Sequence, residues 1–201
     1  DLAQLSILDS LMPPMSRSFE DDLFYLGTDD QGRDLVSAII YGLRISLFVG
    51  LLSVIIALFI GIVLGIISAY FGGFIDSIIM RIADMVLAMP SFLIALVLLS
   101  ILGRGLENVI IALVMSQWAT FARVIRSSAL SEKEKDYLNS AQCLCLPQHR
   151  IIFGHLLPNC LPPIIVLSTM NLAFAITLEA SLSFLGVGLP ITEPSLGLII
   201  S

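Results

Sequence analysis

Residues 131–159 read SEKEKDYLNSAQCLCLPQHRIIFGHLLPN, the longest polar interruption between apolar runs in a chain of 201 residues. Ser131 and Glu134 have capping-box spacing, in which each side chain satisfies the other's unpaired backbone N–H. That spacing predicts a helix starting here and running through Tyr137, Leu138 and Ala141 to about Cys145. Pro147 lacks an N–H and pushes Leu146 out of the α region, so the helix is expected to end or bend there. A second short segment, Arg150 to Leu157, then leads into the next apolar run, with Pro158 closing the stretch.

The flanking runs set the solvent. The chain is 57% apolar and 13% charged, with mean hydropathy +0.99, against roughly 25% charged residues in a soluble domain. Lipid is the solvent this composition suits. Net charge is −6, but eight of the 16 acidic residues precede Arg44, so the acidity belongs to the N-terminal segment. No basic cluster has the density nucleic acid requires. Cys143, Cys145 and Cys160 fall within one short stretch, yet Cys-x-Cys without a third or fourth ligand nearby is poor zinc spacing, even with His149 and His155 recruited. They read as small apolar residues in a reduced compartment, and no metal is expected.

The chain opens on Asp1 and shows no secretory signal pattern. Residues 1–26 mix Pro13, Pro14 and Glu20-Asp21-Asp22 with scattered apolar residues, an irregular extramembrane segment. Gly27 to Asp34 reads as a turn feeding a helix, with Thr28 and Gln31 at capping-box spacing. A calcium loop fails here: with Gly32 sixth, Gly27 and Ala38 fall where acids are required. Leu35, Val36, Ile39 and Ile40 share one helical face, which suits a short interfacial helix. Residues 1–43 are thus expected outside the bilayer, and 44–201 as a transmembrane domain containing a polar loop, 128–159.

Four spans are visible. Ile45 to Ile75 is free of charge, and a span needs about 20 such residues, so one tilted helix plus a turn at Phe71-Gly72-Gly73 fits. Within it, Gly61-x-x-x-Gly65 has the spacing that lets membrane helices approach closely. The second run is uncharged from Met85 to Gly103. Arg81 and Asp84 are neighbours on one helix face at its start, spaced for an ion pair at the membrane boundary. Pro90 inside it predicts a kink facing protein. After the turn Gly103-Arg104-Gly105, the third run extends from Asn108 to Ala129 if Arg123 and Arg126 reach the headgroups. Gln117 and Trp118 lie within it, and packing or an interface anchor, rather than a ligand platform, is the expected role of Trp118. The fourth run, Cys160 to Leu189, is interrupted by Glu179. An ionised carboxylate at mid-membrane costs about 2.5–3.5 kcal/mol, so Glu179 is expected to face protein or a wet cavity. The apolar end, Ser195 to Ser201, is expected to lead into another span, and both ends read as those of a fragment. Arg81, Arg123, Arg126, Lys133, Lys135 and Arg150 on one side outnumber Arg17, Arg33, Arg44 and Arg104 on the other. This bias puts residues 128–159 in the cytoplasm, where Cys143 and Cys145 stay reduced.

Two motifs carry a resemblance. Leu26 to Asp34 with Ile40-Tyr41-Gly42-Leu43-Arg44-Ile45-Ser46 form one. Asp136-Tyr137, Ala141, Ile151-Ile152 and His155-Leu156-Leu157-Pro158-Asn159 form the other, and Glu179 to Gly186 with Pro194-Ser195 add to them. Across residues 26–201 the chain resembles the permease subunits of ABC importers, in the C-type branch that carries dipeptides, oligopeptides or nickel. The resemblance implies an all-α polytopic membrane protein with a type I importer permease domain, six spans in the full-length chain, and pairing with a second permease subunit around a translocation path. It also implies that residues 131–158 form a coupling helix docking in a cytoplasmic ABC ATPase subunit, through Asp136, Tyr137, Ala141, Cys145, His155, Pro158 and Asn159. A periplasmic or extracellular substrate-binding protein would deliver the cargo, with peptide preferred to nickel. The site would be the plasma membrane of a bacterium, the inner membrane of a Gram-negative cell. The family loop usually carries Glu-Tyr-Val-x-Ala-Ala and then Gly, where this chain has Asp136-Tyr137-Leu138-Asn139-Ser140-Ala141 and Cys145. Leu196 replaces a common Trp. If that Gly supplies a positive φ, Cys145 strains the turn.

No G-x-x-x-x-G-K-[ST] occurs, so no cofactor is expected on this chain, ATP use falls to a partner, and the chain is not expected to be an enzyme. Two rival readings are weighed. A self-sufficient secondary transporter or channel needs intramembrane ionisable or broken-helix sites, and Glu179 is its one candidate. A membrane enzyme would rest on His149 and His155, on which no catalytic constellation converges.

Overall fold

The computed structural model describes residues 10–17, 23–29, 32–144, 146–190 and 195–200. Its helices are α1 (Leu35–Phe71), α2 (Gly73–Leu87), α3 (Ser91–Leu102), α4 (Leu106–Lys133), α5 (Asp136–Cys143), α6 (Gln148–Ile151), α7 (Leu157–Phe184) and α8 (Leu196–Ile200). A two-residue antiparallel pair, β1 (Ser16–Arg17) with β2 (Leu23–Phe24), precedes them. That ribbon, unforeseen in the sequence, is too short to alter the all-α class.

Helix α1 is started by Asp34, whose carboxylate accepts from the N–H groups of Val36 at 3.4 Å and Ser37 at 3.0 Å. The cap is therefore Asp34 and not Thr28, whose hydroxyl instead accepts from the Met12 N–H at 2.8 Å; Gln31 lies outside the described residues. The helix runs 37 residues unbroken, about 55 Å at 1.5 Å per residue, well beyond the roughly 30 Å hydrocarbon core. The short helix expected over Leu35–Ile40 is thus the opening of α1 and not a separate element. It ends at Gly72, whose φ of +63° turns the chain, a conformation that costs a Cβ-bearing residue energy.

Small residues decide what α1 touches. A Cβ at Gly61 would collide with the Cβ of Phe121 and stand 3.0 Å from the Ala122 nitrogen; one at Gly65 would meet the Ala122 oxygen at 2.7 Å. The Gly61-x-x-x-Gly65 pair is therefore the seat of α4. Higher on the same helix, Gly50 faces Ile176 and Leu172 of α7. The core is α4 enclosed by α1, α3 and α7, and Val109, Leu113, Phe121 and Ile125 of α4 are fully buried. Trp118 is buried beside them, which favours packing over the interface anchor also expected. Gln117 is buried too, and neither amide atom has a partner among the described residues. By contrast Phe59, Val166 and Met170 stay more than 60% exposed, apolar surface suited to lipid or another helix.

Three helical stretches among the described residues are long and apolar enough to cross a membrane: 35–71, 106–133 and 148–184. The expected second span is bent by 89° between α2 and α3, so four crossings are reached only if that broken pair counts as one. The reason is local. Pro90 has no N–H, and α2 instead closes with Ala88 N–H on the Asp84 carbonyl at 2.9 Å and Met89 N–H on Val86 at 3.3 Å. With 15 and 12 residues, the halves are about 22 and 18 Å long, and neither spans alone.

Candidate functional site

The bundle has two polar ends. At one lie the end of α1, the start of α2, the end of α4, α5, α6 and the first turn of α7; at the other lie the start of α1, the end of α7 and α8.

At the first end, Ser131 does not start a helix. Helix α4 continues through it to Lys133, and after a turn at Glu134 and Lys135 the chain re-enters a helix at Asp136. The charged run therefore terminates α4 and does not cap α5. The chain leaves α5 at Cys143, passes the non-helical Leu146 and Pro147, and enters α6 with Pro147 at its N-cap. From there to Phe184 it does not break. Residues Ile152–Leu156 form one π-helical turn, in which the Leu157 N–H reaches the Ile152 carbonyl. This wider turn absorbs the missing N–H of Pro158, which sits in the first turn of α7.

Tyr137 ties the loop together. Its hydroxyl donates to Glu132 Oε2 at 2.7 Å and accepts from Asn159 Nδ2 at 3.1 Å, linking α4, α5 and α7. Asn159 Nδ2 also donates to the His155 carbonyl at 2.7 Å, and Lys135 Nζ donates to the other Glu132 oxygen at 2.6 Å. Burial and the Glu132 carboxylate push the Tyr137 hydroxyl up to about 12. Beneath this network Leu138, Ala141, Ile151 and Leu156 are buried and hold the loop to the bundle. Facing outward are Leu144, 74% exposed, and Phe153, 69% exposed.

The expected coupling residues therefore divide. Tyr137, His155 and Asn159 come together; Asp136 and Pro158 are exposed near them; Ala141 points inward; Cys145 lies outside the described residues. Cys160 is buried, whereas Cys143 is exposed. Sequence reasoning missed Glu132 and Lys135 as partners of Tyr137, and Leu144 and Phe153 as the outward apolar pair. A signal existed for the last two: both are large apolar residues out of phase with the buried set.

The same end carries ion pairs that were expected elsewhere. Asp84 takes Arg123 of α4 rather than Arg81. Asp76 takes Arg126 through both carboxylate oxygens, at 2.5 Å each, and also the hydroxyl of Ser68. Both arginines thus pair with α2, because the turn after α1 lays acidic α2 against α4. At the opposite end Glu179 is fully buried and faces protein: Ser46 Oγ donates to it at 2.7 Å and Ser183 Oγ at 2.8 Å. No cluster of three or more His, Cys, Asp or Glu fit to hold a metal occurs among the described residues.

The profile described as "Binding-protein-dependent transport system inner membrane component" matches residues 61–201. The chain is 40% identical over 191 residues to the dipeptide transport system permease protein DppC of Haemophilus influenzae, covering 95% of this chain and 65% of that one. It is 42% identical over 177 residues to DppC of Alkalihalophilus pseudofirmus, covering 88% and 58%. With the oligopeptide transport system permease protein OppC of Bacillus subtilis it shares 37% over 201 residues, 100% of this chain and 64% of the relative. The chain spans roughly three fifths of the length of these relatives.

Proposed function

The chain belongs to the family of binding-protein-dependent transport system inner membrane components, and from that premise we propose that it is the permease subunit of an ATP-driven peptide importer. It is a multi-pass membrane protein, so the reading turns on what the polar loop at 128–159 does. The observation that carries the proposal is that loop's construction: buried anchors and the Tyr137 network hold it firm while Leu144 and Phe153 face outward. A rigid loop with an apolar pair exposed is built to seat in a partner's groove. Residues 128–159 are the cytoplasmic contact, with Asp136, Tyr137, His155, Pro158 and Asn159 at its rim and Ala141 as an internal anchor; Cys145 belongs to the same stretch.

The partner is the ABC ATPase subunit, which binds and hydrolyses ATP. A second permease subunit completes the translocation path, and an extracytoplasmic binding protein supplies cargo. Closure of the ATPase pair pushes the loop, and the spans tilt between inward-open and outward-open. Peptide is chosen over nickel because the relatives are named for dipeptides, di- or tripeptides and oligopeptides. Glu179 does not favour a self-sufficient transporter, since both its oxygens are taken by serine hydroxyls.

The test uses the full-length chain assembled with its ATPase and partner permease, the native cysteines replaced, and one cysteine at Leu144 or Phe153. A cross-link to the ATPase that changes with ATP is expected. Absence of any cross-link in an assembled, inserted complex would overturn the proposal.

A further inference from the structure

Two adjacent residues at the end of α4 reach in different directions. The Glu132 carboxylate receives Tyr137 at 2.7 Å and Lys135 at 2.6 Å, and through Tyr137 it is joined to Asn159 of α7. The Lys133 ammonium donates to the carbonyls of Ala69 at 3.2 Å and Tyr70 at 3.1 Å, and lies 5.5 Å from the centre of the Tyr70 ring. Those carbonyls belong to the last turn of α1, where a helix leaves its final C=O groups without intrahelical partners. A cation placed there both satisfies them and meets the negative end of the helix dipole. The last turn of α4 is thereby bonded to the loop on one side and to the end of α1 on the other.

From this we infer that the Glu132–Lys133 step is a mechanical cross-tie, through which displacement of the 134–156 loop reaches the cytoplasmic end of α1. The inference deepens the coupling reading and rests on it. The loop's buried anchors hold it to the bundle through apolar packing, and α6 runs on unbroken into α7; the Lys133 tie adds directed bonds to the end of α1. Two hydrogen bonds to fixed backbone carbonyls resist sliding and twisting together. Arg126, two turns earlier on α4, holds Asp76 and through it Ser68 of α1, so the last turn of α1 is held by two cations of one helix, one directly and one through α2. Lys133 is then a positioning residue: it touches neither cargo nor nucleotide and acts by transmitting movement.

The readout is peptide transported per ATP hydrolysed, measured with the full complex in proteoliposomes containing binding protein. Lys133→Met keeps the aliphatic stem and removes the three donors. It is expected to lower that ratio about tenfold, while the Leu144-cysteine cross-link to the ATPase persists. Lys133→Arg, which can still reach both carbonyls and stack on Tyr70, is expected to restore most of the ratio. A wild-type ratio in Lys133→Met with the cross-link intact overturns the cross-tie and leaves the coupling reading standing; loss of the cross-link in the wild-type background instead strikes that reading. A second measurement needs no Lys133 variant. Spin labels at Phe71 and Ser140, both exposed, should keep one separation with and without ATP, because the tie moves the end of α1 and the loop as a unit. An ATP-dependent change in that separation with Lys133 intact overturns the inference.

Discussion

Ser46 of α1 donates its hydroxyl to Glu179 of α7 at 2.7 Å, across 133 residues of chain. The second carboxylate oxygen receives Ser183 at 2.8 Å, and all three side chains are fully buried. Around them the backbone is drawn tight. A Cβ at Gly197 would collide with the Ala180 carbonyl and stand 2.9 Å from Ser183 Cβ, and one at Gly42 would stand 3.1 Å from the Leu196 nitrogen. The carboxylate thus pins the end of α7 to the start of α1 beneath α8.

Removing the acceptor should cost more than altering it. Glu179→Leu leaves two buried hydroxyls without their acceptor, and each stranded polar group costs about 1–3 kcal/mol. Glu179→Gln keeps an acceptor oxygen and adds donors that a rotated serine hydroxyl can accept. We expect the Leu variant to unfold several degrees lower in detergent and the Gln variant to stay close to wild type. Equal melting of Glu179→Leu and wild type would show that the junction does not hold the helices together.

The seat of α4 gives a steric prediction. Gly61→Ala drives a methyl into the Phe121 side chain, whereas Gly154→Ala puts its methyl no nearer than 3.9 Å to Arg150. Overpacking of this kind typically costs 1–3 kcal/mol, and the Phe121 Cβ cannot swing away because it is fixed to the α4 backbone. Thermal unfolding should separate the two variants clearly, with Gly154→Ala within error of wild type. A stable Gly61→Ala protein would mean that α1 and α4 do not meet there.

What the sequence made legible follows from which physics is local. The Gly61–Gly65 spacing and the cost of burying Glu179 are local facts, and they pointed to a close helix approach and to a carboxylate kept from lipid, but not to the partners. The partner of Asp84 is not local: spacing along a helix makes Arg81 its neighbour, but the turn at Gly72 brings Arg123 across instead. Likewise Ser131 and Glu134 satisfy a cap pattern, yet α4 runs through Ser131 and stops only at Lys133, which leaves Glu134 in the turn after it. The π turn before Pro158 depends on where the freed carbonyls find partners, which no spacing records. Which face of each span is buried was not legible either, because the runs are apolar nearly all round.

The two ion pairs between α2 and α4 should differ in strength. Asp76–Arg126 is bidentate with side chains 20% and 31% exposed, while Asp84 and Arg123 are 62% and 52% exposed. Exposed pairs contribute about 0–1 kcal/mol, and bidentate, partly desolvated ones more, on the order of 1–3 kcal/mol. Double-mutant cycles to alanine are expected to give the larger coupling for Asp76–Arg126. Equal couplings, or a reversed order, would remove Arg126 from the set of residues that fix α2.

The hydroxyl of Tyr137 gives a pH prediction with a definite sign. Burial and the Glu132 carboxylate raise it to about 12 from an ordinary value of 10.0. A group whose folded value lies above its unfolded one stabilises the fold fully below the unfolded value and loses that contribution as pH rises through the folded one. The tie among Glu132, Tyr137 and Asn159 should therefore hold up to about pH 10 and weaken between about 10 and 12. The chain has four tyrosines, so the difference between wild-type and Tyr137→Phe titrations of tyrosinate absorbance isolates this one. It should show a single ionisation near pH 12, accompanied in the wild type by faster proteolysis of the 134–156 loop. In Tyr137→Phe the loop should already be cut faster at neutral pH, because Asn159 and Glu132 have lost their common partner. A difference titration centred near 10, or a variant loop as resistant as the wild type at neutral pH, would mean that the tyrosine does not hold the loop in place.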